Sequence, residues 1–592
     1  MKSIIVREYL SSLGEDDELD YLFPILLEVM GFKIISTPKI TKGLPQYGKD
    51  VIAIGIDPTD NKKKRFYFEI KGGEDKNITT NNFNKRDGIL ESIREAKFRS
   101  YKDNSNPEFN SLPVKIALVH NGQIRANVKE TFDGFIDLEF PRVFNSDTSS
   151  PNFEFERWDI FTLTDYFSKY LFNEYLLVDD ESVLKFKKVL VLNNTPRNDY
   201  NDFQGLIDSI FLKAGDYHNL SKRKRLLLFE TINLVGFIIH SYSKDSGNLE
   251  PAKKCLSFST LRLWSWILKN NLEEDEKVKA HFERHLRIFL RMLDDYFEKT
   301  LPVALLKDGL YSPNGGRYEQ IGYPLRAFDY QSYLLLYFEF KNSFEGSENK
   351  ESVDKQKGVL ATLANNNDGT TRPLLDNHSI PICQLLLFLM RNKKFDEARI
   401  YLRNVFQSIQ IAYDTHKRLP DGRNHIESVV RLIASKQKSI FYEDKTSHLI
   451  GILFEFLAVL NMEEEYTYLR EYFKAIPLYC ALFVPYDDKK LSDLFPNENK
   501  NHELHLFSHE LRQEGYQSEI ILDESFSIFK EKTLKKTEFS YEYRTSKAGY
   551  PFLLTLTHTY FKTPVFPNEW RKFAEIPKQN ELKHEEETAS KT

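Results

Sequence analysis

The sequence predicts an α/β domain over residues 1–175, a central mixed sheet flanked by helices, followed by a large all-α region. Two observations carry this reading. In the first part, short β-type runs alternate with apolar residues at helical spacing, which means strands and helices in layers. From Asp199 onward the pattern turns to long helices. Composition fits a folded chain, since 41% of the 592 residues are hydrophobic and 29% charged, and the length suits several domains.

In order, Leu19 to Met30 has helical spacing and stops at Gly31, a residue suited to a helix C-terminus. Phe32 to Ser36, Val51 to Ile56 and Arg65 to Ile70 read as strands. Residues 84–101 form an amphipathic helix with Ile89, Ile93 and Ala96 inward. Val114 to Val119 (VKIALV), apolar but for Lys115, reads as a fully buried strand. Asn121-Gly122 turns the chain into a helix from Gln123 to Phe132; Phe135 to Phe140 is a further strand, and Trp158 to Leu171 passes into another helix. One more strand is expected at Lys188 to Leu192.

A helical domain over 176–345 then carries helices at 202–213, 223–242, 256–270, 275–298 and 325–341. Residues 342–358 are polar and rich in Gly, Ser, Lys and Glu, and read as a loop or linker. A second helical domain, 346–570, contains two helix hairpins, 382–406 and 449–473. Their turns, near Asn392 and Asn461, are spaced by about two 34-residue helical repeats. Residues 571–592 form a charged tail expected to be disordered.

Charge and cysteine usage exclude several classes. With 82 Lys and Arg against 87 Asp and Glu, the net charge is -5, so a nucleic-acid surface must be local. Cys255, Cys383 and Cys480 lie far apart, which excludes a disulfide framework and a four-cysteine zinc site and fits a reducing cytosol. The longest apolar run, Leu226 to Ile239, contains Glu230 and Asn233 and falls short of the ~20 residues a spanning helix needs. The first residues lack the apolar stretch of a secretion signal. A cytoplasmic chain without membrane contact is expected.

The chemistry concentrates in residues 46–73 (QYGKDVIAIGIDPTDNKKKRFYFEIKGG). Asp50 opens one apolar strand, and Glu69 and Lys71 close another. Alternation puts Tyr67, Glu69 and Lys71 on one face and Phe66, Phe68 and Ile70 on the other, expected to be the core. Charged residues on an inner strand are seldom tolerated unless paired or functional. Asp50 and Glu69 can hold a hard divalent cation such as Mg²⁺, or Mn²⁺ in its place. Such an ion acidifies water and steadies charge growing on a phosphate. Lys71 can orient the nucleophile or neutralise the developing negative charge. Glu28, on the first helix, offers a further carboxylate. The plainer alternative is a solvated sheet face with a surface salt bridge.

The helix with Glu28, Gly31-Phe32, Gly48-x-Asp50 and Glu69-Ile70-Lys71 together resemble the PD-(D/E)XK nuclease superfamily, with its restriction-endonuclease-like fold. VKIALVHNG (114–122) and Trp158-Asp159 with the helix that follows extend the resemblance over about residues 15–172. It implies Asp50, Glu69 and Lys71 as the catalytic set, Asp50 and Glu69 as metal ligands, and Glu28 as the helix carboxylate. The sequence departs from the family pattern where Lys49, not proline, precedes Asp50.

From Lys62 to Lys102, twelve Lys and Arg face six Asp and Glu, and this stretch flanks the proposed site. Lys49, Lys85, Arg86, Arg94 and Lys97 are therefore the candidate phosphate contacts, with helix-face ion pairs as the plainer reading. Three other motifs weigh less. GLPQYGKD (43–50) misses the hydroxyl of a phosphate-binding loop and leads into a strand. His502, His505 and His509 share one helix face but lack metalloprotease spacing. SKRKR (221–225) reads as the solvated first turn of a helix.

The expectation is thus a metal-dependent endonuclease acting on DNA before RNA, joined to helical domains that sense a trigger, bind a protein partner or form a homo-oligomer. Such a combination resembles prokaryotic anti-phage defence effectors by fold-level analogy. The alternatives are an RNA-cleaving nuclease and a non-catalytic helical scaffold on a degenerate nuclease fold. The scaffold predicts that Asp50, Glu69 and Lys71 do not converge.

Overall fold

The computed structural model describes residues 6–7, 9–11, 13–15, 19–37, 47–86, 88–99, 101–102, 107–141, 153–171, 188–189, 200–345, 350–485, 515–519, 524–535, 544–562, 570 and 573. They group into two compact units, Met1–Asn248 and Leu249–Thr592.

The first unit is built on a mixed five-stranded sheet in sequence order: β1 Lys33–Ser36, β2 Val51–Ile56, β3 Lys63–Lys71, β4 Val114–His120 and β5 Phe153–Trp158. β1, β2 and β3 form an antiparallel meander. β4 runs parallel to β3, and β5 parallel to β4. Parallel neighbours need crossovers. Helices Thr80–Asn84 and Ile89–Phe98 lie between β3 and β4, and helix Ala126–Glu139 lies between β4 and β5.

Local chemistry sets the ends. Helix Asp20–Val29 stops where Gly31 takes φ +95° and the Phe32 amide donates to the Leu27 carbonyl at 2.9 Å. The Asp159 carboxylate caps helix Ile160–Tyr166, accepting from the Phe161 and Thr162 amides at 3.1 Å each.

Both faces of the sheet are buried, whereas the sequence marked only the Phe66/Phe68/Ile70 face as core. On that face Phe68 meets Phe23, Trp158 and Phe66 at ring separations of 5.0, 5.3 and 5.5 Å, and Phe32 lies 5.1 Å from Phe66. On the other face Ile52, Ile54, Tyr67, Ile116 and Leu118 join Ile89, Ile93, Val128, Phe132 and Phe135 of the crossover helices.

Several expectations give way. The strand predicted at Phe135–Phe140 is the end of helix Ala126–Glu139, because Val128, Phe132 and Phe135 recur at helical spacing and bury together. The strand beyond it is β5, whose pattern FEFERW stays half-exposed until Trp158. Residues 84–101 are no continuous helix: Gly88 opens Ile89–Phe98 after the short helix Thr80–Asn84. Lys188 and Val189 are helical, and the rest of the strand expected there lies outside the described residues. Helices Asn201–Ala214 and Lys222–Asp245 group with the sheet. Ser221 caps the latter through the Lys224 amide, so the basic run is its first turn. Lys222–Asp245 is long and apolar enough to cross a membrane, but most of it is buried inside the protein.

The second unit is helical apart from a small three-stranded sheet of Thr446–Ser447, Tyr479–Pro485 and Gly515–Glu519. Residues 350–358, read as linker, open helix Lys350–Asn366, where Gln356, Leu360 and Leu363 make a buried stripe. The two hairpins are Ser379–Arg391 with Phe395–His416, and His448–Val459 with Glu463–Lys474. Lys393 and Asn461 take positive φ at their turns. The three cysteines are free and buried. His502, His505 and His509 lie outside the described residues, as does the 571–592 tail apart from Phe573.

Phe68→Ala empties the centre of the aromatic cluster, so urea unfolding of the full chain should show the first unit weakened by roughly 3–5 kcal/mol. Leu138→Ala, at a side chain 76% exposed, should shift the same transition by less than about 0.5 kcal/mol. Equal effects would mean that the cluster is not the core of this unit.

Candidate active site

The antiparallel register pairs Val51 with Phe68, which brings Asp50, just before β2, beside the end of β3. The Ile70 amide donates to Asp50 Oδ2 at 2.7 Å. Glu69 and Lys71 are two apart on one strand and so share a face; Lys71 Nζ stands 3.0 Å from Glu69 Oε1. Asp50, Glu69 and Lys71 therefore converge, and the Glu69 side chain is only 5% exposed.

The second carboxylate on Lys71 is Glu15. Its Oε1 lies 3.4 Å from Lys71 Nζ, and its Oε2 accepts from the Gly72 amide at 3.1 Å. Gly72 permits this approach, since a Cβ there would stand 2.8 Å from the Glu15 nitrogen and 2.9 Å from its Cα. Gly48 does the same on the other side, because a Cβ would lie 1.9 Å from the Ser92 carbonyl oxygen. It takes φ +66° and lets the chain before Asp50 lie on helix Ile89–Phe98.

Glu28 does not join this group. Helix Asp20–Val29 buries Phe23, Leu26 and Leu27, which turns Glu28 outward, and its carboxylate faces Lys222 at 3.7 Å. Glu15, not anticipated from the sequence, stands beside Lys71 where Glu28 was expected. It sits in the acidic run Glu15–Glu18, which has no periodicity to set one member apart. The signal that could have found it is Gly72-Gly73 directly after Lys71.

Electrostatics follow from the crowding. Burial, then the Glu69 charge, pushes Asp50 well above the ordinary 3.8, against the pull of Lys71 and the Ile70 amide. Burial also raises Glu15, opposed by Lys71 and the Gly72 amide. Burial works against the Lys71 charge, but Glu69, Glu15 and Asp50 outweigh it and hold the ammonium well above its usual range.

The expected phosphate contacts fare differently. Lys49 is buried: its ammonium donates to the Tyr47 carbonyl at 3.1 Å and lies 5.4 Å over the Tyr67 ring. Burial pulls it down to about 8. It cannot serve as an exposed contact, because Gly48 seats this segment against helix Ile89–Phe98. Lys85 pairs with Asp75 at 3.0 Å, while Arg94 and Lys97 both pair with Glu139, at 3.1 and 3.0 Å. Arg86 is exposed. The exposed Lys85–Asp75 pair is of a kind that holds weakly, whereas Glu139 is largely buried and Lys97 also donates to its backbone carbonyl at 2.6 Å.

His120 was also missed. It lies in register with Lys71 on the neighbouring strand. Its Nδ1 donates to the Lys76 carbonyl at 3.0 Å, and Nε2 is buried without a hydrogen-bond partner among the described residues. Burial pulls it down to about 4, so the ring is neutral.

Among the described residues, the group of three acidic side chains close enough to share one ion is Asp57, Asp60 and Glu154, at the opposite end of the sheet. That position is filled by an ammonium: Lys64 Nζ lies 2.9, 2.7 and 2.6 Å from the three. Lys115 adds a second, 2.7 Å from Asp57. Despite burial, Lys115 and Lys64 hold Asp57 well below the usual carboxylate range.

Compared with models of protein families, with curated proteins and with solved structures, the chain matches none.

Asp50 carries a pH signature. The folded state holds its proton more tightly than the unfolded chain, so its contribution is favourable below 3.8 and is lost as pH rises through the raised value. With chelator present, Asp50→Asn, which keeps an acceptor for the Ile70 amide, should melt higher than wild type at neutral pH. The gap should close toward pH 3.8. Calorimetric scans across pH check this; a gap that does not vary with pH would contradict it.

Proposed function

We propose that the first unit is a metal-dependent endonuclease of the PD-(D/E)XK type that hydrolyses phosphodiester bonds, in DNA before RNA. The observation that carries this reading is the convergence of Asp50, Glu69 and Lys71 where β2 begins and β3 ends.

The donor set fits a hard divalent cation, Mg²⁺ or Mn²⁺. Among the described residues, Asp50 Oδ2 takes the Ile70 amide and Glu69 Oε1 the Lys71 ammonium, and the remaining oxygen of each carboxylate would serve as a ligand. Three carboxylates around one ammonium leave negative charge that such an ion would balance; burial first, and the Glu69 charge second, raise Asp50. When bound, the ion supplies an acidified water and stabilises charge on the phosphate.

The protein's own groups do the positioning. Ile70 fixes the Asp50 carboxylate, and Glu69 and Glu15 hold the Lys71 ammonium from two sides. Lys71, kept charged, would face the phosphate oxygen that gains charge. Arg86, and Lys85, Arg94 and Lys97 once released from their pairs, would take the flanking phosphates. The helical second unit would bind a partner, sense a trigger or form a homo-oligomer, the architecture of an anti-phage effector.

Purified full-length protein incubated with Mg²⁺ or Mn²⁺ should cut at least one of plasmid, linear duplex DNA, single-stranded DNA and RNA. Asp50→Asn and Lys71→Met should each lower the rate by ~10²-fold or more. Cleavage that survives in both variants would remove the site from these residues.

A further inference from the structure

In the second unit three lysines surround one aspartate. Lys253 and Lys254 lie near the start of helix Glu250–Lys269, Asp329 lies in helix Glu319–Glu345, and Lys562 ends helix Phe552–Phe561. Lys253 Nζ is 3.1 Å from Asp329 Oδ2, 2.8 Å from Glu250 Oε1 and 3.3 Å from the Tyr296 hydroxyl, so its three protons are used. Lys254 and Lys562 both approach Asp329 Oδ1, at 3.2 and 3.6 Å. Among the described residues, neither ammonium has another carboxylate within ion-pair distance.

Two ammoniums sharing one oxygen repel each other, and one carboxylate oxygen cannot satisfy six N–H groups. Lys253 and Lys254 also stand at the positive end of their helix, where cations are disfavoured. A cross-link between helices would need only Lys253, which is 1% exposed and complete. The other members stay open to solvent: the Lys254, Asp329 and Lys562 side chains are 27%, 27% and 36% exposed. Burial, with repulsion from Lys254 and Lys253, pulls Lys562 down to about 8 despite Asp329.

We propose that Lys254 and Lys562, steered by Asp329, form a binding site for a small phosphate-bearing anion in the helical unit. Two compact ammoniums close together suit the several oxygens of a phosphate or diphosphate, each accepting more than one N–H. The neighbouring Tyr333 face, 4.9 Å from Lys254 Nζ and 4.4 Å from Lys253 Nζ, helps hold the cations in place. The site needs nothing from the Asp50 cluster, and it gives the helical unit a ligand of its own.

The test uses full-length protein in chelator, with inorganic phosphate, inorganic diphosphate or malonate as probe. Diphosphate should raise the melting midpoint by about 2–4 °C at saturation and broaden its own ³¹P resonance. The Lys254→Gln/Lys562→Gln variant should lose both effects. Asp50→Asn should keep both, which separates this site from the sheet's carboxylates. An unchanged response in the lysine variant, a response to malonate alone, or no response to any probe would overturn the proposal.

Discussion

The first unit depends on one constraint: β3 is the central strand of five, and both of its faces are covered. A charge on such a strand must find a partner or be neutralised. β3 nevertheless carries Lys64 near one end and Glu69 with Lys71 at the other, all largely buried. Each end therefore recruits opposite charge from the neighbouring strands and loops. The two networks are resolved differently.

At the Lys64 end the buried acid is Asp57, and it faces two ammoniums that keep it ionised. Nothing there asks for a further ion, although three carboxylates stand close together. At the Lys71 end the balance is reversed: one ammonium is shared among Asp50, Glu69 and Glu15, and Asp50 is pushed toward its protonated form. Shifts of this kind cluster at functional sites, and the proposed function rests on this end of the sheet. Proximity of acidic residues alone selects the Asp57 end of the sheet.

Much of this was legible in the sequence. β2 was delimited correctly, β3 and β4 nearly so, because apolar alternation and apolar runs mark strands at the residues themselves. Asp50, Glu69 and Lys71 could be grouped because strand register is a local property. What failed depended on distant contacts. Glu15 is placed by Gly72, fifty-seven positions away, so no window of sequence contains the pair. Glu28 obeyed its helix, whose apolar stripe turned it toward Lys222. FIDLEF at 135–140 alternates like a strand over six residues, but Val128 and Phe132 upstream fix the helical period. The polar composition of 342–358 concealed a helix that buries only one narrow stripe. Lys254 and Lys562 are brought to one aspartate by three separate helices, and nothing in their local sequence announces it.

In the proposed site, Asp50 and Glu69 would hold a divalent cation beside Lys71. Calorimetric titration of Mn²⁺ into the full-length protein, wild type beside Asp50→Asn, tests it without any nucleic acid. Saturable binding by wild type that weakens at least about tenfold in Asp50→Asn is the expected result. Equal Mn²⁺ affinity in the two proteins would contradict it.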